Sequence, residues 1–135
     1  MARPILIIED DPYIAEALRY SLEAQRFETR VVNTGREGLS ACLDKERPPL
    51  LILLDLLLPG INGLEICRRL RREPSTAQIP IIMVTARTSE ADFISAREAG
   101  VDDYITKPFS VRSVIERIAI LLSRGEIPPG PRIPG

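Results

Sequence analysis

Residues 50–60 read Leu50-Leu51-Ile52-Leu53-Leu54-Asp55-Leu56-Leu57-Leu58-Pro59-Gly60, a run of Leu and Ile interrupted by one carboxylate. Pro48-Pro49 before it and Pro59-Gly60 after it keep the run short, and a short apolar run between such breakers reads as a strand buried on both faces. Asp55 stands where that strand gives way to its turn. In the middle of apolar surroundings its anion would be costly to bury. At the carboxyl edge of a parallel strand it points instead into the crevice where open α/β sheets bind ligands. Taken alone, Asp55 reads equally well as a capping or turn residue, so the decision rests on the stretches around it.

Upstream, Ile5-Leu6-Ile7-Ile8 is a β-branched run ending in Glu9-Asp10-Asp11, so it too delivers carboxylates at its carboxyl end. Asp11-Pro12 opens a helix with Pro in the first turn, and its inner face is predicted to carry Ile14, Ala17, Leu18, Ser21 and Leu22. Thr29-Arg30-Val31-Val32 reads as a second strand. Thr34 then caps a helix to about Lys45, with Leu39 and Leu43 inward.

Downstream of the central run, a third helix spans about Leu64 to Arg72. Ile79 to Val84 reads as a fourth strand ending at Thr85-Ala86. A fourth helix from about Glu90 to Ala99 has Ile94 inward and Phe93 out of step with it, either an exposed aromatic or a ring folded back onto the core, and Gly100 stops it. Val101 to Ile105 is a fifth strand, followed by the turn Thr106-Lys107-Pro108-Phe109. The fifth helix puts Val111, Val114, Ile115, Ile118 and Leu122 on one stripe. Five strands alternating with five helices predict an α/β, flavodoxin-like (βα)5 three-layer sandwich with parallel strand order 2-1-3-4-5. Its switch point between strands 1 and 3 brings Glu9, Asp10 and Asp55 to one crevice.

The 135 residues amount to one domain, 44% hydrophobic, 27% charged and 4% aromatic, an ordinary globular composition. A net charge of -1 supplies no overall basic field for nucleic acid, so DNA binding would need a local patch or another domain. The chain has no histidine, which removes His-based catalysis and His-ligated metal. Cys42 and Cys67 fall in helical patterns as small buried residues and suit a reducing cytoplasm. No signal peptide or transmembrane run is present, so no membrane role is expected. The expected organisation is one domain over residues 1–124, followed by a Pro/Gly-rich stretch over 125–135 that reads as a tail or the start of a linker.

Two carboxylates ~4 Å apart repel by ~4 kcal/mol at an effective dielectric of ~20. Three together call for shared protons or a cation. Carboxylate oxygens without His or thiolate partners suit Mg²⁺, with Mn²⁺ as a substitute. Such a site is half-built for phosphoryl transfer, the metal neutralising oxygen charge while a carboxylate acts as nucleophile. A cation and a hydroxyl are still needed, and Lys107 and Thr85 stand at the same edge of the sheet. Each also has a bland reading: Thr85 as a strand-end hydroxyl, Lys107 as a solvated turn lysine, Tyr104 as a rim aromatic. Only their co-occurrence argues otherwise.

Glu9-Asp10, Asp55, Thr85-Ala86 and Lys107-Pro108, each after its own strand, resemble the receiver domain of two-component response regulators. The likeness covers about residues 3 to 123 and is strongest to the winged-helix, phosphate-regulon regulator-like class. It is carried by Ile7-Ile8-Glu9-Asp10-Asp11, by Leu53 to Gly60, and by Asp102-Asp103-Tyr104-Ile105-Thr106-Lys107-Pro108-Phe109. The resemblance implies that Asp55 accepts a phosphoryl group from a sensor histidine kinase or a small acyl phosphate. It implies Mg²⁺ ligation by Asp10, Asp55 and the Leu57 carbonyl, with Glu9 reaching the ion through water. Lys107 and the Ala86 backbone would contact the phosphoryl group, and Thr85 and Tyr104 would switch the face of helix 4, strand 5 and helix 5. Lys107-Pro108 is expected to be cis. The resemblance also implies transcriptional control, with DNA reached only through an effector domain absent from this chain.

Leu57 and Arg87 occupy positions that tune phosphoryl lifetime, and neither is a base for an attacking water. A slowly hydrolysing group is therefore expected, with Arg87 paired to Glu9 before metal binds. The class dimerises through charged pairs on helix 4, strand 5 and helix 5. Here Asp103 and Arg117 remain as one such pair, while Phe93, Ser113 and Ala119 replace usual charges, pointing to a more apolar contact surface. Two other readings compete. An aspartyl-phosphate phosphohydrolase would carry a second acid two residues past the nucleophile, where this chain has Leu57. A stand-alone or phosphorylation-independent protein-binding module would more often have lost the acids or the lysine.

Overall fold

The computed structural model describes residues 3–124; the predicted tail, 125–135, lies outside the described residues. Five strands, β1 (Ile5–Ile8), β2 (Thr29–Val32), β3 (Leu51–Leu54), β4 (Ile81–Thr85) and β5 (Asp103–Thr106), alternate with five helices. The helices are α1 (Pro12–Ala24), α2 (Gly35–Cys42), α3 (Gly63–Arg72), α4 (Glu90–Ala99) and α5 (Val111–Ser123). All strand pairs are parallel and the order is β2-β1-β3-β4-β5, the predicted one.

Side-chain alternation divides the core between the two faces. Ile5, Ile7, Leu51, Leu53, Ile82 and Val84 pack under α1 and α5 with Leu18, Leu22, Val114 and Ile118. Leu6, Ile8, Ile52, Leu54, Ile81 and Met83 pack on the other face with Ile66, Cys67, Leu70 and Ala96. β1 and β3 are buried at every residue, as strands covered on both sides should be. Asp11, Thr34, Asn62, Ser89 and Ser110 cap the five helices, each accepting backbone N–H groups of the first turn.

Several boundaries and faces differ from expectation. α2 ends at Cys42 rather than near Lys45, because the Asp44 carboxylate accepts from the N–H groups of Glu46 and Arg47 and folds the chain into a turn. Leu43 consequently caps α2 and is exposed, while Gly38, Ala41 and Cys42 face inward. In α1, Ala15 is buried and Ala17 is not. In α4, Ile94 is exposed and Phe93 half-buried, because the Phe93 ring lies against Tyr104 of β5 with centroids 5.5 Å apart. Among the described residues no helix is long and apolar enough to cross a membrane.

The amino ends of the strands are closed by Arg71. Its Nε donates to the Gly100 carbonyl (3.0 Å) and one terminal nitrogen to the carbonyls of Ala77 (3.0 Å) and Ile79 (2.7 Å). The other meets Asp102 at 2.9 Å, and the same carboxylate oxygen accepts the Ile81 N–H at 2.8 Å. Gly100, the left-handed C-cap of α4 at φ 101°, lies so close that a Cβ there would press on the Arg71 side chain.

Candidate functional site

The carboxyl ends of the strands carry the polar groups. The sheet ladder runs one residue past β1, β3 and β5: Glu9 N–H donates to Val32, Asp55 N–H to Ile8, and Lys107 N–H to Thr85. Backbone position is therefore fixed by the sheet while the side chains leave it. α3 presses on the same place, since a Cβ on Gly63 would collide with the Asp55 carbonyl and the Leu56 Cα.

Lys107 Nζ lies 2.8 Å from Glu9 Oε1 and 2.9 Å from Asp55 Oδ2. Glu9 Oε2 also accepts the Asp11 N–H (3.2 Å), and Asp55 Oδ1 accepts the Leu57 N–H (3.1 Å). Glu9 and Asp55 are buried and Asp10 is exposed, and carboxylate oxygens of all three lie within 4.8 Å of one another. Burial pushes the Glu9 pKa up, and the Asp55 charge adds to that, against the Lys107 and Asp11 hydrogen bonds. Burial works against the Lys107 ammonium, yet its hydrogen bonds to Glu9 and Asp55 outweigh this and hold its pKa above the usual value. Three carboxylates face one ammonium. A hard, oxygen-seeking divalent cation such as Mg²⁺ fits that donor set, which contains no imidazole or thiolate.

Around this cluster, Thr85 is fully buried and its hydroxyl oxygen accepts the Arg87 N–H at 3.3 Å. Tyr104 donates its hydroxyl to the Arg87 carbonyl at 2.7 Å, and its pKa is raised by burial and by nearby Asp92. Ala86 and the Leu57 side chain are exposed. Lys107-Pro108 is cis.

Arg87 does not pair with Glu9. Lys107 occupies that carboxylate, and the Arg87 guanidinium turns to Asp92 in the first turn of α4 (3.0 Å), where Ser89 also donates. Asp103 and Arg117 do pair, at 2.6 Å, on the β5–α5 face. Sequence reasoning missed the Arg71 clamp and the Phe93–Tyr104 contact. The first has mostly main-chain acceptors, which leave no mark in a sequence; the second joins residues from two elements.

Comparison with known proteins agrees with this geometry. The family model described as the response regulator receiver domain matches residues 5–119. The DNA-binding response regulator MtrA of Mycolicibacterium smegmatis is 40% identical over 96% of this chain and 54% of its own length. The phosphate regulon transcriptional regulatory protein PhoB of Rhizobium meliloti is 40% identical over 93% of this chain and 55% of its own. The chain thus spans about half the length of these relatives. Among solved structures, a CheY-like receiver domain protein from Methanospirillum hungatei superposes with a TM-score of 0.85 at 29% identity, covering 93% of this chain and 98% of that one. A putative response regulator from Chloroflexus aurantiacus gives 0.84 at 35% identity, with 92% and 100% covered.

Proposed function

This chain belongs to the response regulator receiver family, and from that premise we propose that it accepts a phosphoryl group on Asp55 from a sensor histidine kinase and relays the change to an output region or partner. One observation carries the reading: Asp55 is buried at a strand end, bonded to Lys107 and grouped with Glu9 and Asp10. An Asp55 oxygen forms the new O–P bond as the P–N bond to the donor imidazole breaks, and the imidazole leaves with the electron pair. Lys107, already on Asp55, moves onto a phosphoryl oxygen, and the Ala86 backbone contacts another.

Asp10, Asp55 and the Leu57 carbonyl would hold Mg²⁺, with Glu9 acting through water. When bound, the ion supplies charge neutralisation at the transferring oxygens. Thr85 accepts the Arg87 N–H and keeps its own O–H to donate to a phosphoryl oxygen, so a shift of Thr85 towards that group pulls on Arg87, whose carbonyl holds Tyr104. The event is thereby passed to α4, β5 and α5 as a population shift. Neither Leu57 nor Arg87 supplies a base, so hydrolysis of the phosphoryl group is slow. Control of transcription through an effector domain, a homodimer through the α4-β5-α5 face and a cytoplasmic site complete the reading; the likeness to MtrA, a DNA-binding response regulator, and PhoB, a transcriptional regulatory protein, supports the first of these.

The test is intact mass after incubation with Mg²⁺ and a small acyl phosphate. A single phosphoryl adduct is expected, absent in Asp55→Asn. No adduct on the folded wild type would favour a phosphorylation-independent binding module.

A further inference from the structure

Between Asp55 and α3 the chain makes a loop, residues 56–62, whose tip is free and whose flanks are gripped. At the tip Pro59 and Gly60 are exposed, and Gly60 takes φ 82° with nothing within 4 Å of where a Cβ would stand. On the near flank the Asp55 carboxylate accepts the Leu57 N–H (3.1 Å), and the Leu56 carbonyl accepts the Gly63 N–H (2.9 Å). The far flank rests on α2. Gly35, the buried first residue of that helix, donates its N–H to the Pro59 carbonyl at 3.4 Å. A Cβ added to Gly35 would overlap the Ile61 carbonyl oxygen.

No left-handed backbone accounts for this glycine, since among the described residues only Gly60 and Gly100 have positive φ for that residue type. Alanine would suit a helix better. What excludes it is the closeness of the Ile61 main chain. A side-chain tip could turn aside, but a carbonyl moves only with the loop that carries it. The helix is the less free of the two, because Ala41 and Cys42 are buried and a Cβ on Gly38 would press on the Ile8 side chain. The loop, with its free tip, is the part that yields.

We propose that Gly35 is a positioning residue for the cation site: its missing side chain lets α2 set the 56–62 loop, and with it the Leu57 carbonyl. The proposal rests on the reading in which that carbonyl helps to hold Mg²⁺. Asp55 is fixed by its ladder bond to Ile8, and Asp10 follows the ladder bond of Glu9 to Val32. Leu57 has no such bond to the sheet and stands where the loop puts it. Mg²⁺ tolerates little departure from its octahedral geometry, so a displaced oxygen costs affinity.

Urea unfolding of the full chain across a Mg²⁺ titration tests this, since an ion that binds only the folded state raises the midpoint. Gly35→Ala should raise the Mg²⁺ dissociation constant ~10-fold. Gly100→Ala, which meets Arg71 at the opposite end of the sheet, should lose stability and keep wild-type Mg²⁺ affinity. Without metal, amide exchange at Leu57 and Gly63 should quicken in Gly35→Ala by more than its loss of global stability explains. Pro59→Gly slackens the loop from its exposed side and leaves α2 untouched, so it should weaken Mg²⁺ in the same direction. Should Gly35→Ala fail to fold, Pro59→Gly decides: unchanged affinity there means the loop needs no support and overturns the proposal. A wild type indifferent to Mg²⁺ overturns the cation reading and the proposal together. Mg²⁺ binding that Gly35→Ala leaves undiminished overturns Gly35 alone. An equal weakening in Gly100→Ala also overturns it, reducing Gly35 to general support of the fold.

Discussion

Both ends of the sheet set a cation against a buried carboxylate, and they come out chemically opposite. At the amino ends Arg71 faces Asp102 and directs its other donors to three carbonyls. One positive group meets one negative group, and the fork is filled. At the carboxyl ends Lys107 is shared by Glu9 and Asp55, with Asp10 beside them. One ammonium cannot balance three carboxylates, so that end keeps an attraction for a further cation. The difference teaches that burial and ion pairing alone do not mark a reactive site. The mismatch of charge does.

The largest test of this contrast is Arg71→Ala. It leaves the Asp102 carboxylate buried without its guanidinium and should cost ~3–5 kcal/mol in urea unfolding. A cost below ~1 kcal/mol would mean that the closed end is not held by this pair, and the contrast would fail.

Magnesium supplies the next test. Wild type should gain stability on adding Mg²⁺, by ~2.7 kcal/mol at a concentration ~100 times the dissociation constant. Asp10→Asn should lose that gain. Asp102→Asn should start from lower stability and keep it. Equal gains in wild type and Asp10→Asn would remove the distinction between the two ends.

The smallest effect sharpens the picture of the sealed end. Cys67 donates its thiol to the Ala99 carbonyl at 3.1 Å, next to the glycine that Arg71 holds. Burial pushes its pKa up to about 11 and that of Cys42 up to about 12, from an ordinary 9.0. Both thiols should resist alkylation in the native protein, and Cys67 should become reactive in Arg71→Ala. A raised folded-state pKa means that the fold keeps a proton the unfolded chain gives up. Their contribution to stability is therefore complete below 9.0 and is lost as pH climbs towards 11 and 12. Urea midpoints measured across that window, against Cys42→Ala, would show the fall.

The open end was legible because each of its residues ends a strand-like run: Glu9 and Asp10 after Ile8, Asp55 after Leu54, Thr85 at the end of β4, Lys107 after Thr106. Alternation and short apolar runs gave the sheet, and the sheet gave the neighbours. Faces of helices were harder. Ala17 read as an inner residue because its spacing to Ser21 is helical, yet it belongs to the outer line of Tyr13 and Tyr20. Ile94 read as inner and is exposed, while Phe93, which read equally well as exposed or folded back, packs on the ring of Tyr104 from another element. Arg71 was one arginine among several on α3, and nothing local separates it from Arg69 or Arg72.

Three of the four residues that Arg71 grips are held by main-chain oxygens, at 77, 79 and 100. Every amino acid supplies such an oxygen, so exchanges at 77 and 79 leave the acceptors themselves in place. Arg71 has no such latitude. Lysine keeps the charge but brings all its donors to one nitrogen, which cannot span acceptors in two separate connections, 77 and 79 before β4 and 100 and 102 before β5. Mutational scanning of this chain would therefore find tolerance at Ala77, little at Ile79, which packs in the core, or at Gly100, where a Cβ meets Arg71, and almost none at Arg71 itself.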